Sequence, residues 1–200
     1  MPLCYSFSTA AKGASALTQE EVKEAAAALM ARLNGPRTPT SRHLCATLEG
    51  EYDYLLKFEY SALADVAKAI LDNRRRFGAG LSSTLTMLQY SDGISLVPHR
   101  ETGACFEVPA FPRGLLLLQE KLQDGYGTSR AVVAQLGTRL DIVQCIDVFG
   151  PFDYIVEFNA PTAMLCETRA RAVADLIGKH VIRSTVLFCK PFTHESIAID

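Results

Sequence analysis

Apolar and polar residues alternate along this chain with two different periods. Residues 42–49 and 52–59 are predicted to be two strands, and Gly50 and Glu51 between them predict a tight hairpin turn. After Ser61 the apolar side chains recur at helical spacing, which predicts a helix that ends at the glycines near residue 80. The same patterns predict a further helix in this half at 18–33 and two strands at 3–8 and 81–89.

The second half of the chain repeats this pattern. Segment 50–58 returns as 150–158, with Gly, Asp, Tyr and Phe at matching places and an offset of 100 positions. Ser83 and Thr84 match Ser184 and Thr185, which indicates one added residue before the last strand. The substitutions preserve volume and polarity, as expected of a duplicated packing unit. The predicted elements are strands at 114–118, 141–148, 152–159 and 181–189, and helices at 129–136 and 162–177.

Each half therefore has the order strand, helix, strand, strand, helix, strand. This order predicts an α+β fold of two tandem ferredoxin-like (βαββαβ) units, each an antiparallel sheet covered by helices on one face. The first repeat is expected at 1–90 and the second at 113–200. The segment 91–112, rich in Gly and Pro, is expected to be a linker with a possible short hairpin. The uncovered sheet faces should pack against each other, within one chain or between chains.

Composition narrows the function classes. With 200 residues, 48% of them hydrophobic, the chain can bury a core, and a net charge of −2 gives no broad basic surface for direct nucleic-acid binding. No apolar run reaches the roughly 18 residues that cross a membrane, and the first residues do not form a secretory signal. The six cysteines are scattered without a Cys-x-x-Cys pair, which favours free thiols in a reducing cytoplasm.

The repeated hairpin resembles a known family. The pattern Gly-x-(Tyr/Phe)-Asp-Tyr, followed by a helix and a Ser-Thr strand, is similar to the effector-binding domain of Lrp/AsnC transcription regulators. The matching residues are Gly50, Tyr52, Asp53, Tyr54, Gly80, Ser83 and Thr84 in the first copy, and Gly150, Phe152, Asp153, Tyr154, Gly178, Val181, Ser184 and Thr185 in the second. The resemblance implies a dimeric α+β barrel, a homo-oligomer and binding of an amino acid or similar small polar metabolite.

The chain departs from that family in one respect. The helix at 18–33 is followed by a strand at residue 42, so there is no helix-turn-helix in this stretch. The expectation is therefore a stand-alone sensor without its own DNA-binding domain, which could serve as a partner in transcription regulation.

Strand alternation places polar residues on one face of the predicted sheets. Lys57 and Glu157 lie there, opposite the apolar face that begins with Tyr52 and Phe152. A zwitterionic ligand could be bound there, with Asp153 taking its ammonium group and Arg183 its carboxylate. The alternative is that these charges pair across the interface or face solvent. The predicted ligand-binding residues are Gly50, Asp53, Thr84, Gly150, Asp153, Arg183 and Thr185.

Two other functions remain open. The four histidines show no metal-ligand spacing, so no cofactor, metal or catalytic residue is expected under the sensor hypothesis. The same barrel class also hosts haem-dependent and cofactor-free oxygenases, and His43 could then line the barrel and hold a haem. The third possibility is an assembly protein whose sheets serve only to build an oligomer.

Overall fold

The computed structural model describes residues 2–12, 43–77, 80–90, 94–95, 113–121, 131, 133, 136 and 142–189. The predicted helix at 18–33 lies outside these residues. Nine strands and two α-helices have defined bounds in the described part: β1 Leu3–Ala10, β2 His43–Glu49, β3 Tyr54–Glu59, α1 Leu63–Phe77, β4 Leu81–Gln89, β5 Ile94–Ser95, β6 Arg113–Glu120, β7 Ile142–Phe149, β8 Tyr154–Asn159, α2 Ala163–Ile177 and β9 Val181–Cys189. A short 3-10 helix, Gly178–His180, joins α2 to β9. No helix in the described part is long and apolar enough to cross a membrane.

The strands form one closed antiparallel sheet. The order is β4-β1-β3-β2-β9-β6-β8-β7, and β7 returns to β4. Two short seams join the halves: β2 pairs with β9 through Leu48 and Cys189, and β4 pairs with β7 through Leu88 and Phe149. The short strand β5 continues the second seam along β7. The result is an eight-stranded barrel with α1 and α2 on its outside.

The fold class predicted from the sequence is therefore wrong. Two ferredoxin-like units with sheets packed face to face were expected, whereas the strands of both halves share one barrel that is mostly sheet. The physical reason is that each half would leave two strand edges unpaired, and pairing with the other half satisfies them. The repeat boundaries at 1–90 and 113–200 stay a prediction. The Ile94–Ser95 strand of the predicted linker hairpin pairs with β7, and its expected partner lies outside the described residues.

Both hairpins close the barrel by lying against the opposite half. Gly50 has φ +137°, and a Cβ there would come within 2.8 Å of the Val186 carbonyl oxygen in β9. Gly150 has φ +153°, and its Cβ would come within 2.9 Å of Met87 Cγ in β4. Glycine is needed at both turns for the backbone conformation and for this close approach.

The inside and outside of the barrel follow strand alternation. Leu55 and Ile155 lie in the apolar cluster inside the barrel, together with residues such as Phe7 and Leu117. The outer rows of β3 and β8 pack under the helices: Phe58 against α1 and Phe158 against α2. Tyr52 and Phe152 differ from the prediction. They precede β3 and β8 and pack into the apolar cluster inside the barrel instead of under a helix.

Register shows that the one-residue gain predicted before the last strand is wrong. Leu115 pairs with Glu157 and with Leu187, just as Tyr5 pairs with Lys57 and with Met87. The offset of 100 therefore runs through β9. A shift of one residue exchanges the faces of a strand. Thr185 accordingly corresponds to Leu85, and Thr84 faces outwards, where its hydroxyl lies 3.4 Å from that of Ser8.

Candidate functional site

Five buried polar side chains meet inside the barrel and form the interior polar cluster: Tyr5, Lys57, Arg113, Gln144 and Glu157. They come from five different strands. Lys57 and Glu157 are at equivalent positions of β3 and β8, and each faces inwards as the alternation predicts. The inward positions beside them are apolar, with Met87, Leu115 and Leu187 in the same sheet rows.

Glu157 is the centre of the cluster. Its Oε1 accepts hydrogen bonds from Lys57 Nζ and from the Tyr5 hydroxyl, both at 2.7 Å. Gln144 Nε2 donates to the Tyr5 oxygen at 3.4 Å, and Lys57 Nζ lies 5.2 Å from the centroid of the Tyr5 ring. Arg113 Nη1 lies 3.8 Å from Glu157 Oε2. A carboxylate, an ammonium, a phenol and an amide are thus joined by hydrogen bonds, with a guanidinium beside them.

The two cations keep Glu157 ionised. Burial by itself raises the pKa of this carboxyl, but the charges of Lys57 and Arg113 and the hydrogen bonds from Lys57 and Tyr5 outweigh burial. The net result is a pKa below the ordinary value of 4.5. Glu157 is therefore a carboxylate at neutral pH and a weak base.

Arg113 is the cluster residue with an unused donor. It begins β6 directly after Pro112, and its side chain is only 9% exposed. Its Nη1 has no hydrogen-bond acceptor, although the Glu157 carboxylate is near. Two cations and one anion give the cluster a formal charge of +1, counted over its five residues. Such an arrangement can stabilise negative charge that a ligand brings into the barrel.

The two aspartates predicted as site residues accept hydrogen bonds from backbone N–H groups. Asp53 Oδ2 accepts from Ala10 N, and Asp153 Oδ2 accepts from Glu120 N, both at 2.7 Å. The duplicated motif therefore anchors each hairpin to the end of the first strand of its own half, β1 or β6. Gly50 and Gly150 lie at the turns of the same hairpins.

Arg183 and Thr185, two other predicted site residues, come together on Glu51 of the first half. Arg183 Nη2 donates to Glu51 Oε1 at 2.7 Å, and the Thr185 hydroxyl donates to Oε2 at 3.0 Å. The Arg183 guanidinium also lies 4.9 Å from the centroid of the Phe152 ring. This is charge pairing between the halves, the alternative weighed in the sequence analysis. Ligand binding by the seven predicted residues stays a prediction.

Sequence reasoning missed most of the cluster. Lys57 and Glu157 were placed on the polar face but not among the site residues, and Tyr5, Arg113 and Gln144 were not singled out. One signal was present: equivalent positions of the two copies carry opposite charges and face inwards. Arg113 carried no such signal, because it adjoins Pro112 at the end of the predicted linker.

Comparison with solved structures gives matches over nearly the whole chain. A mutant chlorite dismutase from Candidatus Nitrospira defluvii is 13% identical with a TM-score of 0.58, over 95% of this chain and 91% of that chain. The siroheme decarboxylase NirDL in complex with an iron-uroporphyrin III analogue is 10% identical with a TM-score of 0.56, over 96% and 71%. A putative monooxygenase from Lactobacillus acidophilus is 8% identical with a TM-score of 0.50, over 94% and 93%.

This chain shares their fold. At such low identity the likeness concerns the fold alone, and no protein-family model or curated protein sequence matches the chain. The resemblance to Lrp/AsnC effector-binding domains is nevertheless wrong, because the similar structures are dismutase, decarboxylase and monooxygenase proteins. The predictions of a non-enzymatic sensor and of a role in transcription regulation depended on this resemblance and are wrong as well. The enzyme alternative agrees better with these structures.

The interior polar cluster does not fit a flat iron tetrapyrrole of the kind held by the decarboxylase. Fully buried apolar side chains, among them Phe7, Leu117 and Ile155, line the barrel beside it and offer no ligand for iron. Lys57 Nζ already donates a hydrogen bond to Glu157 Oε1. Within the described residues no group of three or more His, Cys, Asp or Glu side chains could hold a metal ion. His43 begins β2 opposite Phe58, whose ring packs under α1 outside the barrel.

Proposed function

We propose that this protein is an oxygen-using enzyme of the monooxygenase type and that the interior polar cluster is its reaction site, without a haem there. The fold likeness supports an enzyme of this class. The observation that carries the proposal is the burial of two cations and a carboxylate in a barrel whose other inward positions are mostly apolar.

Stability alone gives little reason for such a cluster. Removing two charges from water costs several kcal/mol per ion, and well-packed apolar residues of similar size often stabilise a protein as well or better. Apolar residues already occupy the neighbouring positions, including Leu115 and Leu187. Buried groups with perturbed pKa values and specific charge partners are concentrated at functional sites. A functional role for Lys57 and Glu157 is therefore the better explanation.

The chemistry that suits this cluster starts from a CH2 group made acidic by a carbonyl, either adjacent to it or joined to it through an aromatic ring. Loss of a proton to solvent gives an enolate, whose oxygen the charges of Lys57 and Arg113 stabilise. The enolate carbon forms a bond to dioxygen, and a proton from solvent completes a hydroperoxide. The O–O bond then breaks as the remaining C–H proton leaves. The products are a carbonyl and water, so one oxygen atom enters the product and both atoms of dioxygen are accounted for.

The test is oxygen uptake by the purified protein with anthrone and with dibenzoylmethane, two aromatic carbonyl compounds that have an acidic CH2 group. We expect uptake of one dioxygen per carbonyl formed. Lys57→Met should lower kcat/KM by about 100-fold, the usual effect of losing one donor to a developing oxyanion. Glu167→Gln removes an exposed carboxylate on α2 and should change nothing. No uptake with either compound, or full activity in Lys57→Met, would contradict the proposal.

We also propose a cytoplasmic location. It is supported by the described cysteines Cys4, Cys145, Cys166 and Cys189, which are free and buried. The homo-oligomer and the small polar metabolite expected from the sequence stay predictions.

A further inference from the structure

Arg113 is a buried side chain inside the barrel that lacks a hydrogen-bond acceptor. A guanidinium has five N–H donors and no acceptor, so a buried arginine normally has acceptors around it. Arg113 Nη1 is buried without one, and its distance of 3.8 Å to Glu157 Oε2 is too long for a hydrogen bond. The Glu157 Oε1 atom is already used by Lys57 and Tyr5.

The positive charges around Arg113 exceed the negative charges by one, so one more anion would balance them. Lys57 and Arg113 carry two positive charges against the single carboxylate of Glu157, and Tyr5 and Gln144 are neutral. Cys189 lies in the apolar cluster inside the same barrel. Its pKa is raised mainly by burial and further by the charge of Glu157, so it is a neutral thiol. Among the described residues of the interior polar cluster, no second carboxylate balances Arg113.

Tyr5 is the aromatic ring of the interior polar cluster, and further aromatic rings follow it along the barrel. Tyr5 and Phe7 are stacked with ring centroids 6.4 Å apart, and Phe7 meets Tyr52 at 5.4 Å. Phe152 belongs to the apolar cluster inside the same barrel. Aromatic rings pack favourably against one another in offset or tilted arrangements. A ligand with an aromatic body and an anionic oxygen would match both kinds of surroundings.

We propose that the barrel interior binds an aromatic oxyanion, a carboxylate or an enolate, whose oxygen accepts from Arg113 Nη1 while Lys57 supplies the second positive charge. The proposal rests on the proposed function in that this anion is the form in which the enzyme holds its substrate. Arg113 thereby selects ionised substrates over neutral ones of the same shape.

The test compares benzoate with benzamide, which has nearly the same shape and no charge, by isothermal titration calorimetry. We expect benzoate to bind and benzamide to bind at least tenfold more weakly. Arg113→Met should weaken benzoate binding by about tenfold or more, the loss expected for a charge-assisted hydrogen bond. Arg113→Lys keeps the positive charge without the planar pair of donors. Its affinity for benzoate should lie between those of the parent protein and Arg113→Met. Arg171→Met removes an exposed arginine on α2 and should leave binding unchanged.

A second variant gives an effect in the opposite direction. Glu157→Gln raises the formal charge of the cluster to +2, so benzoate should bind more tightly. Equal binding of benzoate and benzamide, or unchanged benzoate binding in Arg113→Met, would overturn the anion site. Oxygen uptake in Arg113→Met at the rate of the parent protein would also overturn the anion site, and it would leave the enzyme proposal intact. Arg113-dependent benzoate binding without oxygen uptake supports the anion site and contradicts the enzyme proposal.

Discussion

The ion pair between Lys57 and Glu157 allows a direct test of whether the interior polar cluster serves stability or function. The perturbation is a double-mutant cycle of Lys57→Met, Glu157→Leu and the two together. Methionine and leucine already occupy equivalent inward positions in β4, β6 and β9, so the apolar replacements suit the neighbouring surface.

The burial of both partners sets the expected size of the effects. The side chains of Lys57 and Glu157 are 1% and 4% exposed, so solvent screens their 2.7 Å contact very little. Removing one partner of such a pair leaves a buried uncompensated charge and costs about 3–5 kcal/mol. Glu157→Leu should be the worse single change, because it leaves both Lys57 and Arg113 without the carboxylate. The double variant should be clearly more stable than Glu157→Leu, since replacing a buried pair with apolar residues is often neutral or better and only Arg113 still lacks the carboxylate.

The assay is urea unfolding followed by circular dichroism, with the midpoint and the slope fitted separately so that changes in the unfolded state are recognised. The informative comparison is the double variant against Glu157→Leu. A double variant as unstable as Glu157→Leu would show that the ion pair is a net stabiliser. Stability alone would then explain why the cluster is retained.

Three other predictions follow from particular contacts. Because the pKa of Glu157 is lower in the folded protein than in the unfolded chain, its contribution to stability is present above about pH 4.5 and is lost as pH falls through the folded pKa. The urea midpoint of the parent protein should fall as the pH is lowered below about 4.5, and this part of the fall should be absent in Glu157→Leu. Gly50→Ala should lower the melting temperature more than Gly150→Ala, since the first new Cβ meets a backbone oxygen and the second a flexible side chain. Asp53→Ala and Asp153→Ala should each cost about 1–3 kcal/mol in urea unfolding without changing benzoate affinity, because each leaves a backbone N–H without its acceptor.

The local elements of this fold could be predicted because their causes are local. The hairpins at Gly50 and Gly150 and the inward direction of Lys57 and Glu157 follow from turn chemistry and strand alternation. Closure of the barrel could not be predicted in this way. The residues that pair at the seams, such as Leu48 and Cys189, are far apart in sequence and have no local signature.

The site was harder to predict than the fold elements. The apparent match of Ser83 and Thr84 with Ser184 and Thr185 shifted the last strand by one position and placed Thr84 on the wrong face. Short motifs of common residues can match by chance, whereas hydrogen-bonded register cannot shift without exposing the core. The two aspartates recur because both halves need the same anchor for their hairpins, so their recurrence does not indicate a ligand site.

The meeting of Lys57 with Glu157 depends on the two halves being parts of a single polypeptide. These residues occupy equivalent positions and touch each other, so in a barrel built from two identical chains each would face its own copy on the symmetry axis. Two lysines or two glutamates at 2.7 Å in a dry interior would repel, and one of them would have to lose its charge. Once both copies lie in one chain, each can change independently. The opposite charges at the centre of this barrel are therefore an asymmetry that a symmetric homodimer of the same architecture could not encode.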